Sequence, residues 1–175
     1  MINTLRRKYI DFSIHNRMKH VNRRKHFSNL KDISRVILLF SVNTISNKDL
    51  EEIKKMIGEG KQISAWAFKP RKTKVKYGVN TYTIDKSDIN FMRKPIDKIE
   101  KMFLRNDCEL LIDLTTQEIL PLKYLLGISK AQCRCGMKKE GFKLYDLEIE
   151  APAKTKETEL LKQMLHYLNA IQAKS

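Results

Sequence analysis

The chain has 175 residues, 42% of them apolar, which is enough for one domain with a real core and too few for two of ordinary size. Lys and Arg number 35 against 20 Asp and Glu, and the net charge of +15 exceeds what solubility needs; it points to an anionic partner and says nothing of the fold. Three cysteines, no secretory pattern and no apolar run of bilayer length argue against a disulfide-stapled secreted domain and a membrane-anchored protein, and predict a cytoplasmic protein with free thiols.

At the start of the chain, apolar side chains recur at Ile2, Leu5, Tyr9 and Phe12, and again at Ile10, Ile14, Met18 and Val21. Spacings of three and four predict one amphipathic helix from about Thr4 to Lys25. Its later part, "RMKHVNRRKHF" (residues 17–27), carries five cations and no acid. A polar connector, "HFSNLKDIS", joins this arm, residues 1–30, to a single α/β domain over residues 31–175. An Arg-rich, acid-poor amphipathic opening also fits an organellar transit peptide, which nothing else in the sequence favours.

From Arg35, "RVILLFSV" is a continuous apolar run of the kind that forms a strand covered on both faces. "NTISNKDLEEIKKMIGEG" follows as a helix, with Ser46 or Asn47 as its cap, Glu51 and Glu52 in its first turns and Gly58 or Gly60 as its stop. "KQISAWAFKP" reads as a second strand ended by Pro70, so strand, helix and strand fit within the length of a parallel βαβ unit. The same alternation continues: "TYTIDKSDI" as strand, "PIDKIEKMFLRND" as helix, "CELLIDLT" as strand, "ILPLKYLLGIS" as helix and "AQCRCGM" as strand. A turn at Gly141, a strand "KLYDLEIEA" and a closing helix "TKETELLKQMLHYLNAIQ" complete it. This pattern predicts a three-layer α/β fold, a mostly parallel Rossmann-like sheet flanked by helices, with the basic N-terminal helix added.

The charge is localised: residues 1–35 carry net +8, residues 61–80 net +6 and residues 114–145 net +4, while each of the three other stretches is net −1. Ligands of such a sheet bind outside the carboxyl ends of its strands. "KPRKTKVKYG" leaves the second strand there, so Lys69, Arg71, Lys72, Lys74 and Lys76 are expected to border that crevice. "DLTTQ" leaves another strand on the same edge and places Asp113, Thr115 and Thr116 by the start of the next helix, where backbone N–H groups and hydroxyls suit an anion. Trp66, Phe68, Tyr77 and Tyr82 are candidates for stacking on bases, although Trp66 and Phe68 alternate with Ala65 and Ala67 as core residues do. A cationic outer face is also a complete structural account of the N-terminal helix if its Ile, Leu and Tyr side packs on the sheet.

Familiar chemistry is missing. Cys133 and Cys135 are one residue apart, Cys108 lies 25 residues earlier, and His15, His20, His26 and His166 supply no second pair, so no zinc site is expected. The sequence has no G-x-G-x-x-G after the first strand, no G-x4-G-K-[ST], no G-x-S-x-G and no H-E-x-x-H, and no cofactor is expected. Asp113, Asp85 and Asp88 are candidate carboxylates, but an aspartate at a strand end equally forms a turn or caps a helix.

Over roughly residues 15–172, the motifs "RVILLF", "GKQISAWAF", "LLIDLT", "LGISKAQCRCG", "YDLEI" and a terminal "YLNAI" resemble a family of small bacterial α/β proteins of unknown function. The resemblance implies that fold and a bacterial cytoplasmic setting, and no activity. Residues 110–136 are also similar to part of the N-terminal Rossmann-like half of heptose-transferring glycosyltransferases, with Asp113 matching a strand's last acid and Ala131, Arg134 and Gly136 a later strand. Those enzymes hold the nucleotide sugar with a second domain that 175 residues do not contain, so this likeness implies a scaffold without the donor site.

These readings predict a non-enzymatic cytoplasmic protein that binds structured RNA or a ribonucleoprotein, with no membrane partner. Phosphates are expected at Arg17, Lys19, Arg23, Arg24 and Lys25 and at Lys69, Arg71, Lys72, Lys74 and Lys76, and a further anion at Thr115 and Thr116. One alternative is a small transferase or nucleotide-handling enzyme with its site around Asp113, Thr115, Thr116 and Arg134. Another is a docking subunit whose basic arm lies on an acidic protein. The arm feeds the amino end of the first strand and the loop leaves a carboxyl end, so the two patches share a surface only if the helix folds back along the sheet.

Overall fold

The apolar runs form six strands, all paired in parallel: β1 (Arg35–Ser41), β2 (Gln62–Phe68), β3 (Thr81–Ile84), β4 (Leu110–Asp113), β5 (Cys133–Met137) and β6 (Leu147–Ile149). Their order is β3-β2-β1-β4-β5-β6, a Rossmann-like sheet. The computed structural model describes residues 1–19, 21–70, 75–152 and 154–171. Five helices flank the sheet: α1 (Ile2–Met18), α2 (Asn47–Ile57), α3 (Asp97–Leu104), α4 (Leu120–Ile128) and α5 (Glu157–Ala170).

Alternate side chains of each strand point to opposite faces. Leu38, Phe40, Leu110 and Ile112 pack in one core with residues of α2 and α5, while Ile37, Leu39, Trp66 and Leu111 pack in another with residues of α1, α3 and α4. That double burial is why β1 and β4 read as continuous apolar runs. Trp66 is fully buried and stacks on Tyr82 at 4.5 Å, and the Tyr77 hydroxyl donates to the Ile45 carbonyl, so Trp66 is core and is not a platform for bases. Of the two candidate caps of α2, Ser46 takes the role, in a capping box with Asp49, and Gly58 at φ 125° ends the helix. β3 stops at Ile84 because Asp85 and Asp88 form a capped 3₁₀ turn.

The N-terminal arm departs from expectation in two ways. First, α1 ends at Met18 and not near Lys25, because Arg23 is held on the body. Its guanidinium donates to the carbonyls of Ala131 and Gln132 and pairs with Asp146, while the His26 N–H donates to the Gln132 carbonyl. Residues 21–29 therefore run without helix along the amino edge of the sheet. Second, only one of the two apolar stripes is buried, and of the other only Tyr9 packs partly against the core. Ile10 and Ile14 are buried against α4, where Gly127 makes room: a β-carbon there would stand 2.6 Å from the Ile14 side chain. Ile2, Leu5 and Phe12 face solvent.

Candidate functional site

The strand order reverses between β1 and β4, and the loops leaving their carboxyl ends diverge there; in open α/β sheets this is where ligands bind. A cleft of about 320 Å³ opens at this point. Ser41, Asn43 and Thr44 line one side, Thr115, Thr116 and Gln117 the other, with Phe68 and Pro70 at the end of β2 and Glu157 at the start of α5. The Asn43 and Gln117 amides and the Thr116 hydroxyl make no hydrogen bond among the described residues, so these groups are available to a ligand. A larger cleft of about 630 Å³ lies at the opposite, amino edge between the end of α2 and the start of β2. It mixes Glu51 and Glu59 with Lys54, Lys55 and Lys61 and lies away from the switch point.

Behind the cleft, Asp113 is the centre of a buried network. Its Oδ1 accepts from the Thr115 N–H at 2.9 Å and the Thr115 hydroxyl at 2.7 Å; its Oδ2 accepts from the Tyr145 hydroxyl at 2.5 Å and Lys139 Nζ at 3.0 Å. Lys139 Nζ donates further to the Thr115 and Tyr145 hydroxyls at 3.0 and 2.6 Å. Burial, and then the Asp113 charge, push the Tyr145 phenol well above its ordinary range. The chain between β5 and β6 returns across the sheet so that the Tyr145 ring lies on Gly136, whose missing β-carbon would be 2.3 Å from it. Asp113 is thus engaged on both oxygens and is 3% exposed, which makes it a support of the Thr115 loop rather than an open general base.

Arg134, the expected partner of Asp113, has another role. It lies two residues earlier along β5, level with Leu111, and its guanidinium donates to the carbonyls of Gly127 and Ser129 at the end of α4. Burial first, then the nearby Arg23 charge, lowers its pKa to about 10. The structure does not bring Asp113 and Arg134 into one pocket. Thr115 and Thr116 line the switch-point cleft together with Ile119, the cap of α4, which begins at Leu120.

The cations of the arm are largely used internally. Arg17 pairs with Glu100 at 2.9 Å, and Arg23 and Lys25 both pair with Asp146. Glu100 also accepts from the Tyr124 hydroxyl and pairs with Lys94; although its burial raises its pKa, these partners together hold the carboxyl below its ordinary range. Asp146 is held down in the same way against its burial, by Arg23 and the Arg134 N–H. Lys19 and Arg24 are exposed and have no ion pair among the described residues. Lys69 and Lys76 lie at the carboxyl edge, where the Lys69 N–H donates to the Ile84 carbonyl; Arg71, Lys72 and Lys74 fall outside the described residues. The Arg23 and Lys25 cations and Lys69 therefore occupy opposite edges of the sheet.

Cys133 and Cys135 share the α5 face of β5, and Cys108 is buried on the other side of the sheet. Burial pushes Cys108 and Cys133 up to about 12 and Cys135 well above its ordinary value, which makes them poor nucleophiles. Among the described residues, no three His, Cys, Asp or Glu side chains gather to hold a metal ion, and no helix is long and apolar enough to cross a membrane.

Residues 4–171 match the family model of a group without a known function. The chain belongs to DUF6913, a family of unknown function. No curated protein and no solved structure matches the chain. Membership in DUF6913 brings no activity with it, so function has to rest on the site. The likeness of residues 110–136 to glycosyltransferases has no match behind it, and the DUF6913 chain uses two of its four residues otherwise: Arg134 on the end of α4, and Gly136 beneath Tyr145.

Proposed function

We propose that this protein is a non-enzymatic binder of a polyanion, RNA or a ribonucleoprotein, and that phosphates are held at the carboxyl edge of the sheet. The supporting observation is the coincidence of two features at that edge. The switch-point cleft presents unpaired donors from Asn43, Thr116 and Gln117, and Pro70 on its wall leads into the segment with Arg71, Lys72 and Lys74. Hydroxyl and amide donors on the cleft suit phosphate oxygens, and the stretch that follows Pro70 in sequence is rich in cations. The arm contributes less than its composition suggests, since Arg17, Arg23 and Lys25 are engaged in ion pairs.

The test is RNA affinity over a salt series for the wild-type chain, a variant with Gln at positions 69, 71, 72, 74 and 76, and a variant with Gln at positions 19 and 24. Each phosphate contact contributes about 0.7 to the log–log salt slope on single strands, so losing three flattens it by about 2. The loop variant is expected to show that change and the arm variant little of it. Equal binding by the loop variant, or no binding by the wild type at low salt, removes the proposal. The size of the cleft favours a second reading, a nucleotide-handling protein. That reading predicts that nucleoside monophosphates raise the unfolding temperature and that Thr116→Val abolishes the effect.

A further inference from the structure

We infer that the solvent face of α1 is an interfacial surface that lies on anionic lipid. Of the eight large apolar side chains most exposed among the described residues, five belong to α1 or its immediate neighbour: Met1 110%, Ile2 49%, Leu5 59%, Phe12 63% and Phe91 71%. Such a concentration in one place is what marks an interaction surface, where scattered single residues would not. Helical geometry explains it. Ile10 and Ile14 point into α4, and at 100° per residue Leu5 and Phe12 lie on the opposite side of the helix, pointing directly away from the body. Phe91 extends the surface onto the turn beside α1, where the Arg6 guanidinium lies 5.0 Å from its ring and donates to its carbonyl.

Charge selects the occupant. The one acid of α1, Asp11, is paired with Lys123, and Arg7 with Glu118 and Arg17 with Glu100, so the unpaired charges around the apolar stripe are Lys8 and Arg6. A second copy of the chain is disfavoured because a two-fold contact through this stripe would set Lys8 against Lys8. Outward Leu5 and Phe12 beside Lys8, on a chain of net +15, suit the boundary between headgroups and acyl chains of an anionic bilayer. This surface is independent of the cleft and of RNA binding.

Co-flotation of the full chain with vesicles of two parts phosphatidylcholine to one part phosphatidylglycerol tests this, against vesicles of phosphatidylcholine alone. The wild type is expected to float with the anionic vesicles, and the double variant Leu5→Ser/Phe12→Ser to bind about tenfold more weakly or worse. Both side chains are more than half exposed, so the variant's unfolding temperature should match the wild type and exclude misfolding as the cause. Lys8→Glu should weaken binding at low salt and have little effect at high salt. No flotation of the wild type overturns the inference, as does equal flotation of the double variant, which would mean adsorption by net charge alone. A wild-type dimer that the double variant converts to monomer would assign the stripe to a second copy and overturn it too.

Discussion

Replacing Gly136 by alanine tests whether the Tyr145 latch is what holds the Asp113 loop. The added β-carbon would lie 2.3 Å from Cε1 and Cζ of Tyr145 and 2.8 Å from its hydroxyl, so the ring must move. It cannot move freely, because that hydroxyl is tied to Asp113 at 2.5 Å and Lys139 at 2.6 Å. Overpacking of a filled site costs about 1–3 kcal/mol, and losing a hydrogen bond to a charged group costs about 1.5–3 kcal/mol. Gly136→Ala should therefore destabilise the fold by about 3–5 kcal/mol, a large part of the ~5–15 kcal/mol that a domain has. Equilibrium unfolding in urea measures it, and a double-mutant cycle assigns it. With alanine at position 145 there is no ring to displace, so Gly136→Ala should cost little more than its backbone effect, a coupling of about 2 kcal/mol or more. An equal cost of Gly136→Ala in both backgrounds would refute the latch.

Two further predictions concern the ion pairs of the arm. Arg23→Ala leaves the Asp146 carboxylate, 3% exposed at its side chain, without its main partner and should cost about 3–5 kcal/mol in urea unfolding, while Arg24→Ala one residue on should stay within about 0.5 kcal/mol. The carboxyls of Glu100 and Asp146 are held below their ordinary values, so the unfolded chain binds more protons in the acid range and their contribution to stability is full above about pH 5 and is lost as pH falls through the ordinary value near 4 and then the lowered folded one. Urea midpoints measured from pH 7 down to pH 3 should fall in that window, and Glu100→Gln or Asp146→Asn should give a lower midpoint at pH 7 and a shallower fall. A midpoint that stays level to pH 3 would show that these pairs do not stabilise the fold.

Much of the architecture was legible because burial writes itself into composition: strands covered on both faces leave runs such as "RVILLFS" and "LLID", and capping residues such as Ser46 mark helix starts. The parallel βαβ reading followed from connectivity alone, as did the exit of the chain at Lys69 from the carboxyl end of β2. The end of α1 was not legible. The helical spacing continues through Val21, and what stops the helix is a pair between Arg23 and Asp146, 123 residues apart. Nor did spacing show which of two apolar stripes would pack, since Ile2, Leu5 and Phe12 are as helical as Ile10 and Ile14; Gly127, across the contact, decides it. Asp113 was singled out as a strand-end acid, but its partners Lys139 and Tyr145 come from a return segment after β5 that local pattern reads as a turn at Gly141 and the start of a strand, which in fact begins only at Leu147. The neighbouring "LYD" combines two long-range roles: Tyr145 reaches toward the carboxyl edge while Asp146 anchors the arm at the amino edge.

The two edges of the sheet thus divide the excess charge. At the amino edge the "RMKHVNRRKHF" cations meet buried acids: Arg17 goes to Glu100, Arg23 and Lys25 go to Asp146, and the arm is fastened to the domain by the residues that composition offered as phosphate contacts. Electrostatic stabilisation of this kind competes with ligand binding, because a guanidinium engaged with a buried carboxylate would have to leave that carboxylate unpaired to take a phosphate. The 69–76 stretch, which follows the carboxyl end of β2, contains five cations and no acid, so its charge cannot be neutralised within the segment, and the cleft at that edge has unpaired donors. Among the described residues, the carboxyl edge combines a cleft with unpaired donors and the point where an acid-free cationic stretch leaves β2, which is why we propose the anion site there and not on the longer run of cations that begins at Arg17.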